Sequence, residues 1–395
     1  MPRVRSVIEF GTSKIVCMID SENIRGIDVP SSSCVRYEGI VDGAWADFGG
    51  LSAAVREAIE LAEGRIKKQI RNVEIGVPAA FEKVVAVNTR RTIQGNRVSI
   101  DDINMLIQAG MPRSSKEWEL IDARPGYFID DMGELYIDPP VNMRSKYIEG
   151  CICYMYAKSS FVKEMVELFD SLHIEVDNFL FENLSQALRY IPQDARDKCC
   201  ILLDVGYENT AVSVVFGDAV LSYDVIYYGS AKIVRDLQNN LGIDAVLAEN
   251  LKRGYSFGLN IDKEGRTYGK NAAGKMICFD HRAVKMSIEK STSFLVNEVR
   301  YVLEDFKKYI TPRTPIYLIG AGLQMRSIES FLVNRFNRKV NVQTNDDTYS
   351  LPSVYNTALA LLDNRADTVY HLEDDGSDVG GVGAKASRLL EIFKR

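Results

Sequence analysis

The chain of 395 residues has few of the residues that build metal centres and nucleophilic triads. Its three histidines, His173, His281 and His371, stand in no metal-binding or nucleophile motif. It has seven cysteines, an odd number, and several of them fall in apolar, strand-like stretches. Buried thiols in a reducing compartment explain this pattern better than disulfides or a zinc site. Histidine-based hydrolysis, structural zinc and a disulfide framework are therefore not expected.

Long apolar runs and an excess of basic residues are missing as well. No run reaches the ~18–20 apolar residues that span a bilayer, and the first residues lack the pattern of a signal peptide. The formal net charge is −6, and no stripe of lysine and arginine with interleaved aromatics is present. We therefore expect no nucleic-acid partner. The protein should be cytoplasmic and still able to lie on a membrane surface.

What remains is the composition of an ordinary folded protein. Hydrophobic residues make up 46% of the chain and charged residues 26%, and its 28 glycines and 11 prolines are spread along it. This leaves little room for a long disordered region. A chain of this length predicts about two to three domains, or two lobes around a cleft.

Two distant stretches, 4–19 and 199–216, share one pattern. Each has an apolar β-branched run, an acidic residue two positions before a glycine, a few small or polar residues and a second apolar run. This pattern predicts a β-hairpin with glycine at its tip, rather than a Rossmann or Walker loop. Tip N–H groups can face phosphates, and Glu9 and Asp204 can hold hydrated Mg²⁺ beside them. One hairpin alone would be better explained as a plain turn.

A third stretch strengthens the nucleotide interpretation. Residues 315–319 form a short apolar run, 320–323 read Gly-Ala-Gly-Leu, and 325–336 have the pattern of a helix. A turn of small residues at a helix N-terminus can accept the flat face of a base and its sugar. Two phosphate hairpins followed by this turn, in this order, resemble the actin, Hsp70 and sugar-kinase superfamily.

Further segments narrow the resemblance to the FtsA family of bacterial cell-division proteins, over nearly the whole chain. Individually these segments are degenerate, but together and in order they are specific. They are 36–42, a helix with Val55, Ala58, Ile59 and Ala62 on one face, 73–77, 98–103, 127–130 through 139–140, 181–187 and 248–252.

The resemblance implies an α/β, actin-like two-lobed ATPase fold with RNase H-like halves, an FtsA-type inserted subdomain and a C-terminal amphipathic helix. The first lobe would comprise 1–81 and 161–197, with the insertion at 82–160 between them. The second lobe would span 198–362 and include a helical, nucleotide-binding subdomain at about 230–309. A linker at 363–382 and the terminal helix at 383–395 would complete the chain.

The resemblance also implies a function. Such a protein binds ATP and Mg²⁺, polymerises, and tethers FtsZ filaments to the cytoplasmic face of the membrane at the division site. The FtsZ C-terminal peptide would dock on the second lobe, which includes the helical region at about 230–309, and the insertion would contact the next protomer or other divisome proteins. Hydrolysis would be slow at most.

The expected site residues follow from the hairpins, the small-residue turn and the resemblance. Glu9 and Asp204 are the candidate metal ligands, and Glu182 is the candidate catalytic group, although a helix N-terminal acid is an equally good explanation for it. Lys14 is explained equally well as a solvated charge. The candidate nucleotide contacts are Gly11, Thr12, Ser13, Lys14, Gly206, Tyr207, Asn209, Thr210, Gly229, Glu249, Lys252, Gly320, Ala321 and Gly322.

Four positions depart from the family pattern. Glu9 stands where an aspartate is usual, Ser230 follows Gly229 in place of a second glycine, and Ala321 and Ala360 replace glycines. Each change adds only a small group. We therefore expect a divergent member that binds nucleotide, without assuming fast hydrolysis.

The C-terminal segment predicts a membrane-binding helix behind an acidic, glycine-containing linker. Ala386, Leu389, Leu390 and Phe393 fall on one helical face with Ile392 beside them, and basic residues lie on or near the opposite side. Such a basic amphipathic helix can lie among anionic headgroups. The alternative is an ordinary helix docked on the body.

Other functions fit the same fold. One is an adaptor with another partner, such as the pilus-assembly protein PilM or an FtsA paralogue. A small-molecule kinase is less favoured, because no residue stands out as its substrate-deprotonating acid. A pseudo-ATPase with a purely structural role is a further possibility.

Overall fold

The computed structural model describes residues 5–20, 30–41, 43–95, 97–258, 265–343 and 351–364. Most of the predicted linker and the whole predicted terminal helix lie outside these ranges. The expected membrane contacts Leu389, Leu390, Ile392 and Phe393 therefore remain predictions from sequence.

The described chain alternates strands and helices. The helices are α1 Phe48–Ile66, α2 Ile100–Gly110, α3 Ser159–Ser171, α4 Glu182–Tyr190, α5 Gln193–Arg196, α6 Ser230–Leu241, α7 Ala245–Gly254, α8 His281–Asp305, α9 Ile328–Phe336 and α10 Asn356–Asp363. The strands are β1 Ser6–Phe10, β2 Lys14–Ile19, β3 Ser31–Arg36, β4 Ile40–Val41, β5 Ala44–Trp45, β6 Asn72–Val77, β7 Glu82–Thr92, β8 Trp118–Asp130, β9 Leu135–Tyr136, β10 Tyr147–Lys158, β11 Glu175–Phe181, β12 Cys200–Val205, β13 Thr210–Phe216, β14 Ala219–Ile226, β15 Arg266–Lys270, β16 Met276–Asp280, β17 Ile316–Ile319 and β18 Val340–Val342.

Two five-stranded sheets repeat one plan. Their strand orders are β11-β6-β1-β2-β3 and β14-β13-β12-β17-β18. Each begins as three antiparallel strands joined in sequence, and two parallel strands are then added beside the first of them. The predicted pair of α/β halves, each opening with a hairpin, is therefore confirmed.

The first sheet is buried on both faces, which explains why its hairpin is largely apolar. Ile8 and Ile15 belong to a core shared with α1 and α3, whereas Val7, Val16 and Met18 pack against α10 on the other side. Adjacent residues of a strand point to opposite faces. A strand between two layers of helices therefore needs apolar side chains at every position.

A third sheet, β7-β10-β8-β9, lies within the region predicted as an insertion. It carries α2 and has its own core, which includes Leu106, Phe128 and Tyr154. Its strand β7 begins directly after the turn Ala79–Phe81, and β10 leads straight into α3. The exact domain limits stay a prediction.

The predicted helical region of the second lobe contains α6, α7 and α8 together with the hairpin β15–β16, which the sequence did not indicate. Leu237, Leu247, Ile288 and Leu295 join these helices to the core of the second sheet. Among the described residues, no helix is both long and apolar enough to cross a membrane.

The end of α10 is fastened to the first lobe. Arg5 donates hydrogen bonds to the carbonyl groups of Leu362 and Asn364 and also pairs with Glu74. The side-chain amide of Asn364 donates to Ser185 Oγ at 2.8 Å. The last described residue, Asn364, therefore contacts both Arg5, just before β1, and Ser185 of α4.

Candidate nucleotide-binding site

The two hairpin tips and the small-residue turn meet around one cleft of about 1010 Å³. This cleft brings together residues from opposite ends of the chain. The predicted site residues that line it are Glu9, Gly11, Thr12, Ser13, Lys14, Glu182, Asp204, Gly206, Tyr207, Asn209, Glu249, Lys252, Gly320, Ala321 and Gly322.

Two predicted contacts do not line the cleft. Thr210 is fully buried, and its Oγ1 donates a hydrogen bond of 2.8 Å to the carbonyl of Tyr228. Gly229 passes so close to the second hairpin that a Cβ there would lie 2.3 Å from the Tyr207 carbonyl oxygen. Both residues hold the second hairpin in place rather than face the cleft.

The glycines at the small-residue turn are required by contact with β12. Gly320 has φ +87°, and a Cβ there would lie 2.4 Å from Asp204 Oδ1 and 2.5 Å from the Val205 carbonyl oxygen. At Gly322 a Cβ would lie 2.4 Å from the Gly206 carbonyl oxygen. A side chain at either position would first push this turn away from the second hairpin.

The backbone also fastens this hairpin to its neighbours. The N–H groups of Ser230 and Ala231, at the start of α6, donate to the carbonyls of Gly206 and Tyr207 at 3.1 and 2.8 Å. The Gly322 N–H donates to the Val205 carbonyl at 2.9 Å. Three consecutive carbonyl groups are thus fixed by two separate segments.

The first hairpin carries a charged pair. Lys14 Nζ pairs with Glu9 Oε1, and its side chain is only 16% exposed. Lys14 therefore points at the acid in the cleft rather than into solvent. The other oxygen, Glu9 Oε2, is buried and has no hydrogen-bond partner among the described residues. A buried carboxylate oxygen of this kind favours a nearby cation.

The second hairpin's acid has neutral partners. Asp204 Oδ2 accepts a hydrogen bond of 2.7 Å from Gln186 Nε2, which also donates to Thr357 Oγ1 at 2.9 Å. Burial raises the pKa of Asp204, and nearby Glu9 raises it further against the opposing effect of Gln186. The carboxyl of Asp204 therefore holds its proton more tightly than usual until a cation is present.

Glu182 is buried at the first residue of α4, beside the cleft. Its Oε1 has no hydrogen-bond partner among the described residues. Gly76 leaves the necessary room, because a Cβ at that position would lie 2.7 Å from this oxygen. Burial, followed by the charges of Glu9, Glu82 and Asp204, raises the pKa of Glu182 well above its usual value.

The carboxylates of the cleft can hold a metal ion only if a bound small molecule or water supplies further oxygen atoms. Within the described ranges, no three or more His, Cys, Asp or Glu side chains are placed to bind a metal by themselves. Mg²⁺ usually keeps several waters and takes one or two carboxylates together with phosphate oxygens. The unpaired oxygen of Glu9 and the carboxylate of Asp204, one from each hairpin, fit that requirement.

The wall of the cleft formed by α7 carries a second charged group. Lys252 Nζ lies 2.8 Å from Glu249 Oε2, and Arg253 Nε lies 2.6 Å from Oε1 of the same carboxylate. Lys252 is buried, and this desolvation lowers its pKa. Glu249 and Lys252 therefore present a compact, preformed polar pair to the cleft.

Sequence reasoning missed several cleft residues. Gln186 lies one helical turn after Glu182, and that spacing was a usable signal. Thr357 comes from α10, and no local pattern marks it. Arg36 and Glu38 pair at 2.6 Å on the exposed rim.

One hydrogen bond crosses between the two tips. Thr12 Oγ1 accepts from the Glu208 N–H at 3.1 Å. The two lobes are therefore in direct contact where the tips of the two hairpins meet.

No family model matches the chain. Among curated proteins, the cell division protein FtsA of Streptococcus pneumoniae serotype 2 is 19% identical over 316 residues, covering 79% of this chain and 68% of that protein. The chain resembles the cell division protein FtsA. FtsA of Agrobacterium fabrum is 22% identical over 260 residues, covering 62% of this chain and 58% of that protein. Identities this low mark a divergent relative of FtsA.

Solved structures show the same fold. The PilM–PilN type IV pilus biogenesis complex superposes with a TM-score of 0.61 at 15% identity, covering 91% of this chain and 98% of that one. MreB5 of Spiroplasma citri bound to AMPPNP gives 0.52 at 12% identity, with 90% and 95% covered. The MamK double helical filament gives 0.53 at 12% identity, with 91% and 98% covered. The actin-like fold expected from the FtsA resemblance is confirmed.

Proposed function

We propose that this chain is an actin-like, ATP-binding cell-division protein that polymerises and tethers FtsZ filaments to the cytoplasmic face of the membrane at the division site. The observation that carries the proposal is that two similar hairpins, each with an acidic residue near its tip, line one cleft together with the Gly320–Gly322 turn. The FtsA relatives supply the cellular role, and the filament formed by MamK supports self-association.

In this proposal the hairpin tips receive the phosphates. Glu9 and Asp204 would hold Mg²⁺, which neutralises phosphate charge during transfer. Glu182 would orient a water molecule. Because burial and neighbouring acids favour its protonated form, we expect Glu182 to be a poor base and turnover to be slow.

A titration of the purified protein with ATP, with and without Mg²⁺, tests the nucleotide site. We expect binding that depends on Mg²⁺ and is weakened by at least about tenfold in Asp204→Asn, because charge-assisted contacts are the strong ones. Asp101→Asn is the matched control, since this exposed carboxylate lies on α2 and does not line the cleft. Equal affinity in all three proteins, or none in the wild type, would remove the nucleotide from the proposal.

The adaptor role needs a separate experiment. Full-length protein should sediment with anionic vesicles and recruit FtsZ to them, whereas a variant carrying Leu389→Asp and Phe393→Asp should stay in solution with its ATP affinity unchanged. The reason is that both substitutions fall on the apolar face of the predicted helix. Undiminished sedimentation of the double variant would show that this segment is not the anchor.

A pilus-assembly adaptor is the second candidate, favoured by the PilM–PilN structure, of which this chain covers 98%. Binding measured side by side with an FtsZ C-terminal peptide and with PilN separates the two functions. Binding to PilN alone would replace the division role. A turnover of order 10–100 per second would instead favour a kinase.

A further inference from the structure

Helix α4 begins without a capping group from its own neighbourhood. Phe181 stands at the N-cap and offers no side-chain hydrogen bond. The first N–H groups of a helix have no partner within the helix, and burying them unpaired is costly. The Glu182 N–H instead donates to the side chain of a residue one hundred positions earlier in the chain, Glu82, whose Oε1 accepts at 2.6 Å.

Glu82 is itself held firmly by the inserted sheet. It is the first residue of β7 and pairs with Ala157 of β10. Its side chain is buried and interacts with Tyr223 of β14, whose hydroxyl donates to the Ala79 carbonyl at 2.9 Å. Glu82 thus touches three parts of the molecule, namely the inserted sheet, the start of α4 and the second lobe.

The other side of Glu182 is confined as well. Its side chain lies against Gly76, where a Cβ would be 2.7 Å from Glu182 Oε1 and 2.5 Å from Leu361 Cδ1. The backbone of Glu182 is therefore held by the Glu82 side chain, and its carboxyl group is confined by close packing against Gly76. A movement of β7 would be passed to the start of α4, because the bond between Glu82 and the N–H is short and buried.

We propose that Glu82 is a positioning residue that holds Glu182 at the cleft and so couples the inserted sheet to the nucleotide site. The consequence for turnover rests on the proposed function, but the hydrogen bond does not. The coupling makes the inserted sheet a regulator of the site, because whatever displaces β7 also displaces the group that faces the reacting phosphate.

Three variants of Glu82 test the inference. Glu82→Met keeps the volume of the side chain and removes the acceptor oxygen. Glu82→Asp moves the acceptor away from the Glu182 N–H by the length of one methylene group. Glu82→Gln retains an acceptor oxygen at the same position. The matched control is Glu119→Ala, which removes the carboxylate of the residue that lies opposite the same Ala157 on the other neighbouring strand, β8. Site-resolved hydrogen exchange of the amide of Glu182 is measured in each protein without nucleotide.

We expect exchange at Glu182 to accelerate by about tenfold or more in Glu82→Met, since the buried N–H loses its acceptor. Glu82→Asp should be intermediate, while Glu82→Gln and the Glu119 control should match the wild type. If Glu82→Met does not fold, the comparison of Glu82→Asp with Glu82→Gln decides the question. Unchanged exchange in the folded variants would overturn the positioning role.

Turnover supplies the second readout. In Glu82→Met, kcat for ATP should fall by about 10-fold to 100-fold, as expected when a reacting group is misplaced by a fraction of an ångström to one ångström. Affinity for a non-hydrolysable ATP analogue should stay unchanged, and Glu82→Gln should restore kcat. Equal losses of affinity and kcat would indicate a merely structural role. If the wild type binds no ATP, the proposed function fails while the exchange result still decides the inference.

Discussion

The tip of the first hairpin, β1–β2, carries an ion pair, whereas the second hairpin, β12–β13, is held mainly by the backbone. In the first, Lys14 pairs with Glu9 inside the cleft. In the second, the carbonyl groups of Val205, Gly206 and Tyr207 accept hydrogen bonds of 2.9, 3.1 and 2.8 Å from neighbouring segments. The two sheets share one plan, so the difference is confined to the residues around each tip.

This contrast shows where each half tolerates change. A tip fixed by an ion pair depends on the balance of charge in the cleft, and that balance changes when a cation or a phosphate arrives. A tip fixed by backbone contacts depends on close approach, which any added Cβ destroys. We therefore expect the second hairpin to act as the rigid reference and the first to respond to the ligand.

The largest effect is expected from Gly320→Val. Its Cβ would collide with β12 and would also require a left-handed φ of +87°. We expect a loss of about 3 kcal/mol or more in the free energy of unfolding, because strain and overpacking act together, as well as loss of Mg²⁺-dependent ATP binding. Urea unfolding measures the first effect and calorimetry the second.

The control is a glycine in open space. A Cβ at Gly64, on α1, meets no atom within 4 Å, so Gly64→Ala should stabilise the protein by about 0.5–1 kcal/mol. If Gly320→Val were as stable as the wild type, the rigid character of the second hairpin would be wrong.

A smaller effect is expected from Lys14→Met. Removing the amine leaves Glu9 buried with neither of its oxygens paired, so we expect a loss of about 1–3 kcal/mol in the free energy of unfolding. Mg²⁺ should recover part of this loss in unfolding experiments, because a cation can take the place of the amine. Adding Glu9→Gln to Lys14→Met should also recover stability, and failure of both rescues would show that the pair does not hold the tip.

The pH dependence of the free energy of unfolding tests the surroundings of Asp204. The pKa of Asp204 is raised in the folded state, whereas in the unfolded chain it has its usual value of about 3.9. At pH values between these two pKa values, the folded protein binds more protons than the unfolded one. Its contribution to the free energy of unfolding therefore falls as pH rises, by about 1.4 kcal/mol for each unit of pKa shift.

Urea unfolding from pH 4 to pH 7 without Mg²⁺ measures this effect. Asp204→Asn removes the group, so its stability relative to the wild type should increase with rising pH. A constant difference across this range would show that burial does not raise the pKa of Asp204.

The smallest effect is expected where the two hairpins touch. Thr12→Val keeps the shape of the side chain and removes the acceptor for the Glu208 N–H. We expect a loss of about 0.5–1.5 kcal/mol in the free energy of unfolding and faster hydrogen exchange at Glu208. Thr92→Val, at an exposed position of β7, is the control. Unaltered exchange at Glu208 would mean that the tips are not joined in solution.

Local patterns predicted the parts of the site that are built locally. The hairpins and the glycine turn were predicted because alternation, small residues and an acid near a tip are visible within a short window. Thr210 does not line the cleft, because its hydroxyl points into the protein and donates to the Tyr228 carbonyl. Gln186 was missed although it lies one turn from Glu182.

The contacts that fix the acids could not be predicted. The bond between Glu82 and the Glu182 N–H joins residues one hundred positions apart, and that between Gln186 and Thr357 spans 171 positions. Neither has a local signal, since each depends on how separate sheets and helices pack. The hairpin β15–β16 was missed for the opposite reason, because its short strands are largely exposed and lack an apolar alternation.

The fastening of α10 determines how tension would travel through the molecule. A force applied to the chain after Asn364 would have to break the hydrogen bonds to the guanidinium of Arg5 and to the hydroxyl of Ser185 before α10 could detach. Ser185 lies on α4, one turn after Glu182. A force on the chain's end is therefore delivered to α4, the helix that borders the cleft on the side of the first lobe. In the proposed membrane-anchored filament, such a force would reach the candidate nucleotide site.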